Sequence, residues 1–198
     1  VVTTDGRHHT FSQFGAGSFV AGVATHLAAP VVVHPGALLV EAQVLAKAGI
    51  TDALERLTID RQARIITPFQ QAAGRLRELL RGPDRHGTCG VGVGETVSDS
   101  IDSKDDLVRA ADLSGDRQAL ERRLRQQQAR KHAEFSAAFG TNPGTAVRTE
   151  LAILEDVTLP EHVAAQWASD TQQLKLVDND WLSARLSSKA PVVFEGAQ

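Results

Sequence analysis

Strands and helices alternate along the first ninety residues, and this alternation constrains the fold more than any other feature of the sequence. A short β-branched run at 30–33 predicts a buried strand, and residues 57–66 contain a second one. Each run is followed by a proline, Pro35 or Pro68, that the first turn of a helix tolerates because its N–H would have no partner there. The pattern predicts an α/β fold with a mainly parallel sheet and flanking helices.

Both predicted helices carry an apolar stripe at helical spacing. We expect the first to end near Gly49, and the second to begin at the capping pair Thr67-Pro68 and end at Gly82. The stripes comprise Leu38, Ala42 and Leu45 in the first helix, and Phe69, Ala73, Leu76 and Leu80 in the second.

The second half of the chain is expected to be mainly helical. A long helix is predicted over 116–139, where no glycine or proline occurs and where six arginines and lysines are interpreted as a solvated face. The other predicted elements are a hairpin turning at Asp5-Gly6, helices at 147–154 and 160–168, a loop at 178–180 followed by a short helix, and a final strand at 192–195.

The composition argues against several classes of function. A net charge of -3 and a pI near 6.2 give no electrostatic footprint for nucleic acid or an anionic membrane. The longest apolar runs are too short to span a bilayer, and no secretory signal is visible. The single cysteine excludes an internal disulfide framework and is typical of a reducing cytosol, so we expect a cytoplasmic protein.

Residues 86–96 read HGTCGVGVGET, which is more glycine than a packed helix or strand keeps. No lysine follows the glycines as a P-loop requires, and the third glycine of the dinucleotide fingerprint falls at Glu95. A looser nest of backbone N–H groups that binds an anion fits better, with the Thr88 hydroxyl as a further donor. A tight surface turn is the alternative that the spacing leaves open.

The other polar residues give weaker signals. His8 and His9 lie on opposite faces of a predicted strand and cannot chelate one ion. His86 borders the glycine-rich loop and could assist an anion, whereas Cys89 has no visible base that would make it a nucleophile. A flexible acidic loop without EF-hand spacing is expected from Asp99, Asp102, Asp105 and Asp106. Surface or capping roles are expected for His26, His34, His132 and His162.

Two segments, GTCGVGVGE at 87–95 and FEGAQ at 194–198, resemble the loop GTTGRGIGP and the later strand FEGAQG of the adenylosuccinate synthetase family. The sequence from 30 to 82 also resembles the strands and helices that precede that loop, and the similarity is looser over 116–188. The resemblance implies an incomplete P-loop-NTPase-like synthetase fold. It also implies that residues 1–198 are the central part of a single domain truncated at both ends, which agrees with the lack of methionine.

The resemblance implies GTP-dependent ligation of IMP and L-aspartate to adenylosuccinate, on the way to AMP, by a cytoplasmic homodimer that uses Mg²⁺. The family's loop holds the 5′-phosphate of IMP, and Thr88, Cys89 and Gly90 fall on it. Gln198 falls on the glutamine that helps to hold the nucleotide. The family's GDEGKGK-type loop, catalytic histidine, and aspartate- and guanine-binding loops have no counterpart here, so no catalytic or metal-binding residue is expected within this chain.

Four positions depart from the family pattern: Cys89 replaces a threonine, Val91 an arginine, Glu95 a proline, and Ser103 an arginine that reaches across the family's dimer. A carboxylate at Glu95 is unfavourable beside a phosphate unless it points away. We therefore expect the chain to supply part of an IMP site and to be inactive alone. One alternative is a non-catalytic purine-nucleotide-binding or interaction module derived from this fold, and another is an unrelated phosphate-binding enzyme that shares the loop by chance.

Overall fold

A computed structural model describes residues 1–4, 6–102, 106–188 and 190–196. The strands are β1 (Thr25–Leu27), β2 (Val32–Val33), β3 (Leu57–Asp60), β4 (Arg64–Ile65) and β5 (Lys175–Val177). The helices are α1 (Pro35–Lys47), α2 (Pro68–Arg81), α3 (Val93–Asp102), α4 (Ala110–Leu113), α5 (Arg117–Phe139), α6 (Thr145–Glu155), α7 (Leu159–Asp170) and α8 (Asn179–Leu186). The strands that pair do so in parallel, which confirms the predicted α/β class.

The residues predicted as one strand over 57–66 form two strands, β3 and β4, and this part of the prediction is wrong. Thr25 pairs with Leu57 and Val33 with Ile65, so both ladders join residues 32 positions apart. The two ladders are therefore one strand pair with an interruption. The interruption follows Asp60, whose carboxylate accepts the Gln62 N–H at 2.7 Å and turns the chain away from its neighbour.

The predicted final strand at 192–195 does not form within the described residues. The recorded sheets comprise β1-β3-β5 and β2-β4, and the described residues of this segment pair with none of these strands. A segment without a ladder partner is not a strand, however apolar it is. Val193 and Phe194 consequently stay 81% and 75% exposed. The sequence interpretation had missed β1 and β5, which are each only three residues long.

The amino-terminal hairpin is present in reduced form, with one antiparallel bridge between Val2 and His8. Gly6 has φ +85° in its turn, while Asp5 lies outside the described residues. The two helix starts are as predicted. His34 accepts the Ala37 N–H with Nδ1 ahead of α1, and Thr67 forms a reciprocal capping box with Gln70 ahead of α2.

Helices α2, α5, α6 and α7 pack together beside the sheet, with α5 in contact with the other three. The 23 residues of α5 follow Asp116, whose carboxylate accepts the N–H groups of Gln118 and Ala119. Leu124 and Phe135 are fully buried in its apolar stripe. The predicted stripe of α2 is also buried, except for Leu80, which is 44% exposed. The helices predicted at 147–154 and 160–168 are confirmed as α6 and α7.

A network of buried charges joins α3 to α5. Lys131, only 2% exposed, places Nζ 2.8 Å from Glu95 Oε2 and 2.8 Å from Asp99 Oδ1. Arg130 binds Asp99 at 3.1 Å and binds both oxygens of Asp106 at 2.6 and 3.0 Å. The interpretation of this face as solvated is therefore wrong for Arg130 and Lys131.

The predicted acidic loop is wrong as well, because Asp99 and Asp106 are buried and pair with Lys131 and Arg130. Asp99 lies on α3 and also accepts the Gln70 side-chain amide at 2.9 Å. Asp102 is the last residue of α3, and Asp106 is buried beside Arg130, while Asp105 lies outside the described residues. Helix α3 begins at Val93, inside the glycine-rich stretch, so the network fixes the far end of that stretch to the helical layer.

Replacing Lys131 with methionine should destabilise the protein by about 3–5 kcal/mol, because Glu95 and Asp99 would lose the buried cation that they share and would keep only the more exposed Arg77 and Arg130. Urea denaturation measures the change in the free energy of unfolding. Lys47→Met, at an exposed position, is the matched control and should cost about 0.5 kcal/mol or less. A loss below about 1 kcal/mol for Lys131→Met would contradict a stabilising role for this network.

The same network predicts a pH dependence of stability. Burial raises the pKa of both Glu95 and Asp99, but hydrogen bonds outweigh this effect. Arg77 and Lys131 hold the pKa of Glu95 below its ordinary value of 4.5. Arg130, Lys131 and Gln70 hold the pKa of Asp99 below its ordinary value of 3.8. Each carboxylate makes its full contribution to stability at pH values above its ordinary pKa. This contribution is lost as the pH falls through the lower pKa that the carboxyl has in the folded protein. In Lys131→Met this acid-induced loss should be shallower.

Candidate functional site

The glycine-rich loop, residues 86–92, leaves α2 through a short 3-10 turn and ends where α3 begins. Its last residue, Gly92, is buried next to Ile66 and Gln71. Ile66 directly follows β4, and Gln71 lies in the first turn of α2. The loop therefore sits at the carboxyl end of a parallel strand, where open α/β sheets bind their ligands.

Three glycines in this loop need their lack of a side chain. Gly87, Gly90 and Gly92 have φ values of +70°, +67° and +92°, in the left-handed region that other residues rarely adopt. At Gly92 space is also limiting, because a Cβ would lie 2.9 Å from Ile66 Cγ2 and 3.2 Å from the Gln71 nitrogen. These positions explain a glycine content that no packed strand or helix would retain.

Helix α2 holds the loop at two points, through side chains that lie three residues apart. Arg75 Nη1 donates to the Gly90 carbonyl at 3.1 Å, and Glu78 Oε2 accepts the Gly87 N–H at 3.1 Å. Burial raises the pKa of Glu78, but hydrogen bonds from Arg81 and from the backbone N–H groups of Thr88 and Gly87 outweigh it and lower the pKa. The loop thus presents a backbone donor, the Gly87 N–H, that already binds a carboxylate.

An open cleft of about 340 Å³ lies between α2, the loop and α6. Arg75 lines it and pairs with Glu150 of α6 at 2.8 Å. Thr88 and Gly90 form its loop side. The cleft adjoins the loop donors and is of a size that small ligands occupy in proteins.

Three of the four predicted IMP-binding residues, Thr88, Cys89 and Gly90, are consecutive in the glycine-rich loop. Thr88 and Cys89 are exposed at the tip of the loop, and Gly90 follows them. Gln198 lies outside the described residues. Within the described part of the FEGAQ motif, the Glu195 carboxylate accepts the Ala16 N–H with both oxygens, at 3.1 and 3.2 Å. This carboxylate therefore binds the amino-terminal segment.

The departures from the family pattern differ in their consequences. The Glu95 carboxylate points away from the loop and into the helical layer, where Lys131 and Arg77 neutralise it. Val91 leaves an apolar side chain 42% exposed beside the loop donors. Ser103, at the place of the family's trans-acting arginine, lies outside the described residues.

The histidines occupy the structural positions expected of them, with one exception. His34 caps α1, His132 and His162 lie at the surface, and His86 is exposed beside the loop. His26 is the exception, because it stacks on Trp181 at 4.6 Å and bonds Thr58 with Nδ1 at 3.0 Å. His8 and His9 diverge as predicted, and His9 meets the buried Glu41 at 3.2 Å.

Sequence reasoning missed Arg75 and Glu78, the two side chains that hold the loop. Their i, i+3 spacing on the polar side of α2 places both on one face, and that spacing was the available signal. What the spacing could not reveal is that the chain folds back so that this face meets residues 87–90.

The described residues do not fit a bound Mg²⁺ or a nucleoside triphosphate. In the described parts of the chain, no three histidine, cysteine, aspartate or glutamate side chains converge as a metal site. The densest acidic group is neutralised by Arg130 and Lys131. No lysine follows the glycines as a triphosphate cradle requires. None of the helices among the described residues has the length and apolar character needed to cross a membrane.

Comparison with known proteins places this chain among synthetases. A family model described as adenylosuccinate synthetase matches residues 1–198. An adenylosuccinate synthetase of Syntrophobacter fumaroxidans is 30% identical over all of this chain and 43% of the relative. One from Lactococcus lactis is 28% identical over all of this chain and 42% of the relative. The chain thus spans less than half the length of these curated relatives.

A solved structure supports the same fold. The fully ligated adenylosuccinate synthetase from Plasmodium falciparum matches 93% of this chain and 39% of its own, with a TM-score of 0.63 at 14% identity. At that identity the likeness concerns the fold alone. It confirms the predicted synthetase-like architecture despite the interrupted strands.

Replacing Gly92 with alanine should destabilise the protein and displace the loop, because the new Cβ would collide with Ile66 and the backbone of Gln71. The left-handed φ of residue 92 would add strain, since alanine rarely adopts it. We expect a loss of about 1–3 kcal/mol in urea denaturation. Gly94→Ala is the matched control. Gly94 lies in α3 with nothing within 4 Å of its Cβ position, so alanine should stabilise by about 0.5–1 kcal/mol. Equal effects of the two substitutions would contradict the loop conformation.

Proposed function

The chain belongs to the adenylosuccinate synthetase family, and from this premise we propose that it serves in the GTP-dependent ligation of IMP and L-aspartate to adenylosuccinate, a step in AMP synthesis. Residues 1–198 would act as the central part of a single synthetase domain, in a cytoplasmic homodimer. Their contribution is the site for the 5′-phosphate of IMP, at Thr88, Cys89 and Gly90, with Gln198 as a further contact to the nucleotide.

The observation that carries this proposal is the carboxylate already bound by the loop. Glu78 accepts the Gly87 N–H at 3.1 Å. Backbone donors that bind one anion in this way suit the oxygens of a phosphate. The glycines keep side chains out of the approach, and the loop lies at the carboxyl end of β4, beside an open cleft.

In the proposed reaction the purine oxygen of IMP attacks the γ-phosphate of GTP and releases GDP. The amino group of aspartate then attacks the ring carbon that bears this oxygen, and the phosphorylated oxygen leaves as phosphate. Mg²⁺ and the donors of a triphosphate site would neutralise the charge that develops on the transferred group. The described residues hold no such group, so the proposal assigns no step of the chemistry to them. Their part is to bind and orient the nucleotide, and residues 1–198 alone should catalyse no ligation.

A second candidate function is a non-catalytic purine-nucleotide-binding module. Cys89 favours it, because this residue stands in the loop where the family has a threonine and so removes a hydroxyl donor. Val91 favours it too, since an exposed valine replaces a cation near the bound phosphate. Both candidates share the phosphate site and differ in whether chemistry follows binding.

IMP should protect Cys89 from alkylation, because a phosphate on the loop covers the exposed thiol. Cys89 is the single cysteine of the chain, so the incorporation of N-ethylmaleimide, followed by mass spectrometry, reports on this loop alone. At an IMP concentration ten times the Kd we expect the rate to fall about tenfold.

Inosine, which lacks the phosphate, is the matched control and should give little protection. Equal protection by inosine and IMP, or none by either, would remove the phosphate site from the proposal. A coupled assay for adenylosuccinate separates the two candidate functions when it is run on the protein as its source produces it. Ligation would support the synthetase, and IMP binding without ligation would support the module.

A further inference from the structure

Two side chains of α2 bind the glycine-rich loop with opposite chemistry. Arg75 donates to the Gly90 carbonyl and Glu78 accepts the Gly87 N–H, both at 3.1 Å. On the helix the two residues lie three apart, and so do the two glycines along the loop. One contact therefore engages a loop acceptor, and the other engages a loop donor.

The contact from Arg75 leaves the loop donors available. Arg75 is itself held, because its Nε lies 2.8 Å from Glu150 on α6. Its aliphatic part supports the loop as well, since a Cβ at Gly90 would lie only 3.0 Å from Arg75 Cγ. With the Gly90 carbonyl fixed on the helix side, the loop keeps its left-handed turn at that residue.

The contact from Glu78 has the opposite consequence. A backbone N–H carries one proton and makes one strong hydrogen bond. The Gly87 N–H that binds Glu78 therefore cannot serve a phosphate at the same time. A phosphate beside an ionised Glu78 would also meet like-charge repulsion.

We propose that Glu78 is an internal competitor for the phosphate site: its carboxylate occupies the Gly87 N–H until a ligand phosphate displaces it, while Arg75 is a positioning residue that keeps the loop in its anion-binding form. This inference rests on the proposed function, because it concerns the same loop. The two residues should therefore set the affinity for a purine nucleoside monophosphate in opposite directions.

Release of Glu78 does not leave its charge unpaired. Arg81, one turn further along α2, already binds the other oxygen of Glu78 and remains available when the loop donors turn to a phosphate. The exchange thus replaces one anion on the loop with another, and the arginine keeps the released carboxylate neutralised.

The test compares Glu78→Gln and Arg75→Gln by titrating IMP against the alkylation of Cys89. Glutamine keeps the size of Glu78 but removes its charge, so Glu78→Gln should lower the Kd for IMP by about three- to tenfold. Arg75→Gln should raise the Kd by a similar factor. Glu161→Gln on α7 and Arg122→Gln on α5 change the net charge equally at exposed, remote positions, and both should stay within about twofold of the unmodified chain.

Hydrogen exchange without ligand tests the contact itself. In Glu78→Gln the Gly87 amide should exchange faster, and unchanged exchange would overturn the inference. If the unmodified chain binds IMP and Glu78→Gln binds it equally or more weakly, the inference fails and the proposed function stands. If IMP protects neither protein, both fail. Protection of Glu78→Gln alone would support both.

Discussion

The interaction on which the rest of the structure depends is the buried amine of Lys131 between Glu95 and Asp99. These three residues are almost fully removed from solvent, and the amine lies 2.8 Å from each carboxylate. A buried charge is tolerated only when it is paired and hydrogen-bonded. The arrangement therefore fixes the relative positions of α3 and α5, and with them the point at which the glycine-rich loop ends.

Helix α2 connects the ion network of Lys131, Glu95 and Asp99 to the candidate site. Its buried side carries Phe69 and Leu76 into the core, and Gln70 on the same side bonds Asp99 of the network. Its polar side carries Arg75 and Glu78 to the loop. One helix thus links the core, the ion network and the backbone donors, so a change in the packing of α2 would reach the site directly. The departure at Glu95 is accommodated by the same arrangement, since this carboxylate faces the network instead of the loop.

Much of the fold could be predicted because its signals are local. The caps at His34, Thr67 and Asp116 mark helix starts through short-range hydrogen bonds, and the glycines at 82 and 140 end helices in the left-handed region. The strands were predicted less well. β1 and β5, which the sequence did not predict, are three residues long, and the 192–195 segment has strand-like composition without a ladder partner. Strand formation depends on which neighbour is available, and that is a property of the whole fold.

The sequence by itself determined the α/β alternation, the starts of α1, α2 and α5, and the glycine-rich loop, because period, caps and positive-φ glycines act over a few residues. It also carried the family likeness in GTCGVGVGE. Only the tertiary structure decided which charges are buried and which groups face the loop. Glu95 and Lys131 are 36 residues apart, and Glu78 and Gly87 are nine apart across a turn. The local sequence around Glu95, Lys131 and Glu78 does not show which groups they pair with, because pairing of this kind is set by where the chain returns and not by the residues on either side.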